Sequence, residues 1–138
     1  MAGSFNDYLE NFILDRVFGS VAFVIPPQYI GLFTAAPTDA GGGTEVTASN
    51  GYARLQVEAA TGRTWTAAAA GAISNSADWS FAAASGGNWG TVVAMAILDD
   101  LTQGSDNYLV WADLAVSKAI NDGDTATFVS GNLDITLS

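Results

Sequence analysis

Carboxylates and a few basic side chains are the main candidates for acid–base chemistry in this chain of 138 residues. It has fourteen acids, four bases, no histidine and no cysteine. Nucleophilic catalysis by serine or threonine needs a neighbouring base, and Lys118 is the single lysine that could serve as one. Paired carboxylates could hydrolyse a glycoside, but the acids are spread through turns and polar strand faces. The sequence therefore predicts a protein that is not an enzyme and has no catalytic residues.

Two acidic pairs, Asp99–Asp100 and Asp122 with Asp124, are the candidates for a metal site. Calcium takes about six to eight oxygen ligands from a shaped loop, and neither segment matches such a loop. Zinc lacks its usual histidine and cysteine ligands. The run Gly41–Gly43 is a loop signal and not a phosphate-binding motif. We therefore expect turn residues at both pairs, no metal and no cofactor.

The net charge of −10 limits the partners. Nucleic acid and anionic membranes both require basic surfaces, and four scattered cations do not provide one. The acidity is open to two interpretations: mutual repulsion of free copies, or docking onto a basic partner. The first ten residues indicate no signal peptide and no apolar run is long enough to span a bilayer, so we expect synthesis in a cytosol.

The four tryptophans leave a carbohydrate-binding module open as an alternative, because exposed indole rings can stack on sugars. Large aromatics are more often core residues or interface anchors. Trp111 lies in a strand and is expected in the core. Trp89 follows the Gly86–Gly87 turn and is the best candidate for exposure; the other two are Trp65 and Trp79.

An amphipathic helix is predicted over Ser4–Phe18. Ser4 would cap its start with Asp7 three residues on, and Gly19 stands where the helix should end. The apolar stripe either packs on the β domain of the chain or forms a seam with another subunit; it comprises Phe5, Tyr8, Leu9, Phe12, Ile13 and Val17. Ser20–Ile25 then reads as a short strand or a covering arm, which Pro26–Pro27 ends.

The remainder is typical of short strands separated by turns about every ten residues. Ala67–Ala70 is not predicted helical, because Gly62 and Gly71 bracket it. The pattern predicts an antiparallel β-sandwich or jelly-roll-like barrel of seven or eight strands with one N-terminal helix. We expect a single domain, 1–138, with a helix and arm at 1–27 and a β-sandwich body at 28–138. The predicted strands are 29–35, 52–58, 64–66, 79–82, 91–98, 108–114, 125–129 and 133–137.

Several stretches together resemble a family of small virion proteins of tailed phages. They are YIGLFTAAPTDAGGGTEV at 29–46, GYAR at 51–54, NWGTV at 88–92, NDGDTA at 121–126 and YLEN at 8–11. Members of this family are often labelled tail-fibre-like, and some resemble cement or decoration proteins that sit as trimers on the outer head shell. The resemblance implies a structural component of a phage virion.

The first hypothesis from this resemblance is a capsid cement or decoration protein that stabilises the head shell. A fibre shaft usually needs long repeats, and this chain is short and has none. The expected partners are the major capsid protein and copies of itself in a homotrimer, without nucleic acid or membrane. The alternative is a tail, tail-fibre or baseplate adaptor. The interface candidates are Phe5, Tyr8, Leu9, Phe12, Ile13, Val17, Phe23 and Trp89.

Overall fold

Short antiparallel strands dominate the computed structural model, which describes residues 3–104 and 107–137. Six strands form an open main sheet in the order β1-β8-β7-β2-β3, with β4 also paired to β2, and β5–β10 and β6–β9 form two small sheets. The predicted mainly β, antiparallel class is confirmed, with ten strands in these ranges. The elements are β1 (Gly3–Phe5), α1 (Asp7–Val17), β2 (Tyr29–Ala35), β3 (Thr44–Glu45), β4 (Leu55–Gln56), a 3-10 turn (Ala59–Thr61), β5 (Ala72–Ser74), β6 (Trp79–Ser80), β7 (Gly90–Leu98), β8 (Tyr108–Ile120), β9 (Thr127–Phe128) and β10 (Asp134–Thr136).

The centre of the main sheet is buried on both faces, as the apolar sequence of β2 predicts. One face carries the larger cluster, in which Ile30, Leu32 and Met95 pack with residues of the two small sheets, including Trp79 and Leu133. The opposite face carries a smaller cluster of Phe33, Ala94, Ala96 and Leu98. The small sheets therefore form the second layer over the larger cluster.

An irregularity between β7 and β8 changes which side chains share a face. Val92 pairs with Lys118 and Ala94 pairs with Asp113, so the four residues 114–117 of β8 lie opposite Val93 alone. Simple alternation places Val93 with Met95 and Ile97, but Val93 packs against the smaller cluster on the other side. The bulge inverts the alternation, which a sequence pattern alone does not show.

The N-terminal helix begins later than predicted. Residues 3–5 form β1, which pairs with Val110–Ala112 of β8, and Asn6 is the residue before the helix. Ser4 is therefore a strand residue and not the cap. The predicted end is confirmed: the amide of Gly19 donates to the carbonyl of Leu14, and a Cβ at Gly19 would lie 2.4 Å from the carbonyl oxygen of Asp15. The predicted domain boundary at residue 27 stays a prediction.

Between residues 52 and 82 the strands are shorter than predicted. Only Leu55–Gln56 and Trp79–Ser80 are strands within the predicted ranges, and Trp65 forms an isolated bridge with Asn75. The alanine-rich segment is not helical, as expected. It makes a two-residue turn closed by Ala69 and Ala72, with positive φ at Ala70 and Gly71, as hairpin turns of this length require.

Asn75 joins the segments of the second layer and is fully buried. Its side-chain amide nitrogen donates to the carbonyls of Ala77, Phe128 and Val129, and its oxygen accepts from the amide of Leu133. The side chain thus stands in for main-chain partners that the very short strands cannot provide for one another.

Candidate interaction surfaces

The predicted apolar stripe of the helix divides between the interior and the surface. Phe12 is buried, Leu9 packs against the larger cluster and Ile13 is half-buried. Tyr8 and Val17 are exposed. The helix therefore attaches to its own β domain through the middle of the stripe, and Tyr8 and Val17 are left exposed on either side of it.

Two of the other predicted interface residues are not on the open surface. Phe5 is half-buried in β1. Trp89 is only 6% exposed, and its indole nitrogen donates to the carbonyl of Asn50 at 2.8 Å. Its ring meets Tyr52 edge to face, with 5.2 Å between the ring centroids. The predicted exposure of Trp89 is wrong, because its ring packs in the core against Tyr52 and Phe81.

None of the four tryptophans is exposed. Trp79 is buried, Trp65 and Trp111 are half-buried, and the rings of Trp65 and Trp79 are nearly perpendicular at 80°. Trp111 packs against the smaller cluster. The carbohydrate-binding alternative depended on exposed, coplanar rings, and the arrangement provides no such stacking platform.

The acidic pairs occupy turns, as the sequence predicts. One oxygen of Asp122 accepts from the amides of Gly86 and Gly87, and Asp124 accepts from the amide of Asn121. Asp99 and Asp100 likewise accept from amides of residues 107 and 102. Among the described residues no three metal-ligating side chains come close enough to hold an ion.

One buried polar cluster has no counterpart in the sequence analysis. Tyr52 and Arg54 both donate to the carboxylate of Glu45 in the interior, and Arg54 also donates to the carbonyl of Asp100 at 2.6 Å. Burial, and then the charge of Glu45, raise the pKa of Tyr52 above its ordinary value. The sequence places Tyr52 and Arg54 on one strand face, but nothing in its pattern identifies Glu45 as their partner.

The most apolar exposed segment follows the helix; we call residues 18–25 the arm. Five of its side chains are exposed: Phe18, Val21, Phe23, Val24 and Ile25. Within the described part of the chain, residues 20–25 form neither a strand nor a backbone hydrogen bond. Beyond the helix end, the ring of Phe23 packs on the helix, with its centroid 6.2 Å from that of Phe12. The predicted short strand over Ser20–Ile25 is therefore wrong, and the alternative of a covering arm stays a prediction.

An apolar groove of about 610 Å³ lies between β8 and the segment that carries β9 and β10. One wall is formed by Leu114 and Val116 of β8, the other by Phe128 and Leu133, and the floor includes Met95. Val116 is 80% exposed at its rim. Lys118 also lines the groove. We refer to this feature as the β8 groove.

No helix in the described ranges has the length and apolarity needed to span a membrane.

A family model described as "Podophage GP4 fiber I protein gp80" matches residues 4–136. No curated protein matches the chain. The family match covers the helix, the arm and every strand from β2 to β10.

Proposed function

The chain belongs to the family of the podophage GP4 fiber I protein gp80, and from this premise we propose that it is a structural subunit of a phage tail fibre or of its attachment to the tail. The match over residues 4–136 carries the proposal, because it spans nearly the whole chain. The resemblance to small virion proteins of tailed phages is thereby confirmed, and a structural role in the virion is supported.

The family description favours the fibre alternative over the head-decoration hypothesis. It names a fiber protein and contains no reference to the head shell. The absence of long repeats argued against a shaft, but a short β domain can serve as an adaptor or a segment of a fibre without building the shaft alone. The predicted contact with the major capsid protein belongs to the decoration hypothesis and receives no support.

The side-chain inventory supports a binding role without catalysis. With neither histidine nor cysteine, the chain has few groups that could activate a nucleophile. The acids of the two predicted pairs accept hydrogen bonds from turn amides, and Glu45 is engaged by Arg54. In contrast, apolar side chains are exposed in the arm and in the β8 groove. Contiguous exposed apolar surface of this kind is typical of protein–protein interaction sites.

We propose copies of the same chain and neighbouring tail proteins as the partners, with the homotrimer expected from the family resemblance as the assembly. The strongly acidic surface keeps free copies apart by mutual repulsion, so assembly would depend on apolar contacts formed at high local concentration.

Labelling of intact particles tests the location. Gold-labelled antibodies against the purified chain should bind at the tail in electron micrographs, and particles from a phage with the gene interrupted should bind none. Label distributed over the head shell would contradict the proposal and restore the decoration hypothesis. Particles without the chain should also keep the heat and osmotic resistance of their heads, because a fibre subunit does not clamp the shell.

A further inference from the structure

The β8 groove lies beside a length of sheet edge that the chain leaves open. β1 covers β8 only at Val110–Ala112, and no described strand pairs with residues 113–119 on that side. Open edges invite an added strand, and proteins normally shorten, charge or cover them. Here the open stretch carries two charged residues, Asp113 and Lys118, with the exposed side chain of Val116 between them at the rim.

The arm has the properties that such a groove requires of an occupant. It is apolar, has no backbone hydrogen bonds of its own from residue 20 to 25, and is followed by Pro26–Pro27. Six extended residues span about 20 Å, which is close to the length of the open stretch of β8. The proline pair cannot donate to a ladder, so an added strand would end at Ile25.

The arm lies elsewhere in its own chain. Of the residues that line the β8 groove, none precedes Leu32. Ile25 and Pro26 instead line a separate depression with Val57 and Trp65. The residue after the proline pair is fixed there, because Gln28 accepts from the amide of Val57 and from the indole nitrogen of Trp65, both at 2.8 Å. The chain that follows the arm is thus held in place away from the groove.

The distribution of charge along the chain permits a second copy to supply the occupant. Two chains of net charge −10 repel each other, but no charged residue occurs between Arg16 and Asp39. The arm is therefore a part of the surface through which two acidic copies can meet without bringing like charges together.

We propose that the arm of one copy lies in the β8 groove of a neighbouring copy and adds a strand to the open edge of β8. The backbone of the arm would bond to the open edge of β8, and the exposed apolar side chains of the arm would fill the groove. The contact is heterologous, since arm meets groove, so successive copies close a ring or continue along an axis.

Cross-linking between copies tests this contact, and the absence of native cysteine makes it simple. One variant carries Phe23→Cys and the other Val116→Cys, and a disulfide forms when the two Cα atoms approach within roughly 4.4–6.8 Å. After the two variants are mixed and oxidised, they should give a dimer band at least about tenfold stronger than a control pair. The control pairs Phe23→Cys with Leu101→Cys, because Leu101 is exposed but lies outside the groove. A short bis-maleimide accommodates a register shifted by one residue.

Two outcomes would overturn the inference. A dimer yield equal to the control would show that arm and groove do not meet between copies. A cross-link within one chain of the double variant Phe23→Cys, Val116→Cys would show that the arm enters its own groove.

Sedimentation of the full chain gives a second measure that does not depend on cross-linking. Phe23→Asp and Val116→Asp should each weaken self-association at least about tenfold, whereas Leu101→Asp should leave it unchanged. A wild-type chain that stays monomeric at every concentration would also overturn the contact. Either failure leaves the tail labelling experiment unaffected, so the fibre proposal stands or falls separately.

Discussion

Glu45 and Arg54 form a two-point ion pair inside the molecule. Nη2 of Arg54 lies 2.6 Å from Oε2 of Glu45, and Nε lies 2.9 Å from Oε1. The side chains are only 10% and 1% exposed. Because Arg54 also donates to the carbonyls of Asp100 and Thr102, the pair connects β3 to the loop after β7.

Removing the negative partner of this pair should destabilise the fold severely. Glu45→Gln leaves the buried guanidinium without its counter-charge, so the free energy of unfolding should fall by about 3–5 kcal/mol. Urea unfolding measures the change. Glu58→Gln is the matched control, since Glu58 is exposed and should shift the free energy by less than about 0.5 kcal/mol. Equal effects of the two substitutions would contradict the structural role of the pair.

Tyr52 should make the fold sensitive to alkali. Its pKa is raised in the folded chain, chiefly by burial and then by Glu45, above the ordinary value of 10.0 that applies when the chain is unfolded. As the pH rises above 10, the unfolded chain loses the phenolic proton and the folded chain keeps it. The free energy of unfolding therefore falls by about 1.4 kcal/mol per pH unit from this residue.

The measurement is the slope of unfolding free energy against pH above 10. Tyr52→Phe should lower stability at neutral pH, because the amide of Leu32 loses its acceptor, and should also make the alkaline slope shallower by one proton. An unchanged slope would show that the hydroxyl of Tyr52 does not stay protonated in the folded chain.

Asn75 should be intolerant of substitution. Asn75→Asp replaces a donor to three carbonyls with a buried carboxylate, so we expect a loss of at least about 3 kcal/mol at neutral pH that lessens in acid, where the group is neutral. Thermal unfolding at two pH values measures it. Asn11→Asp on the exposed side of the helix is the control. A variant at position 75 as stable as the control would contradict the bridging role.

Two adjacent glycines allow a test of close backbone approach. Gly42 and Gly43 both have positive φ, at 83° and 80°, so alanine at either position costs about 1–2 kcal/mol for the backbone alone. A Cβ on Gly43 would lie 2.7 Å from the carbonyl oxygen of Ala35, whereas one on Gly42 meets nothing within 4 Å. Gly43→Ala should therefore unfold at a clearly lower temperature than Gly42→Ala. Identical melting temperatures would show that the loop relaxes freely.

The sequence predicts those elements whose bounds depend mainly on residues close together in the chain. The bounds of β2 match the prediction because its run of apolar residues is buried on both faces and ends at a loop. The end of α1 follows from a glycine that no other residue could replace without a clash. The strands of two or three residues are different, because β3, β5 and β9 are each held by one partner strand and not by their own alternation.

The candidate surfaces also divide into one that the local sequence predicts and others that depend on distant residues. The exposed apolar arm is visible in the sequence as an uncharged run that ends at two prolines. The glycine turn before Trp89 predicts an exposed ring, but the ring is buried by contacts with residues distant in sequence, which no local pattern shows. The β8 groove depends on a bulge between strands, and a single strand sequence does not specify the register of its neighbour.

The position of Lys118 has a practical consequence. It carries the ε-amine of the only lysine in the chain, and it is exposed on the rim of the β8 groove. Once the α-amino group is blocked, an amine-reactive dye would attach to one defined side of the molecule. Its emission would respond to whatever covers that side, and the same lysine could tether the protein to a surface with a uniform orientation.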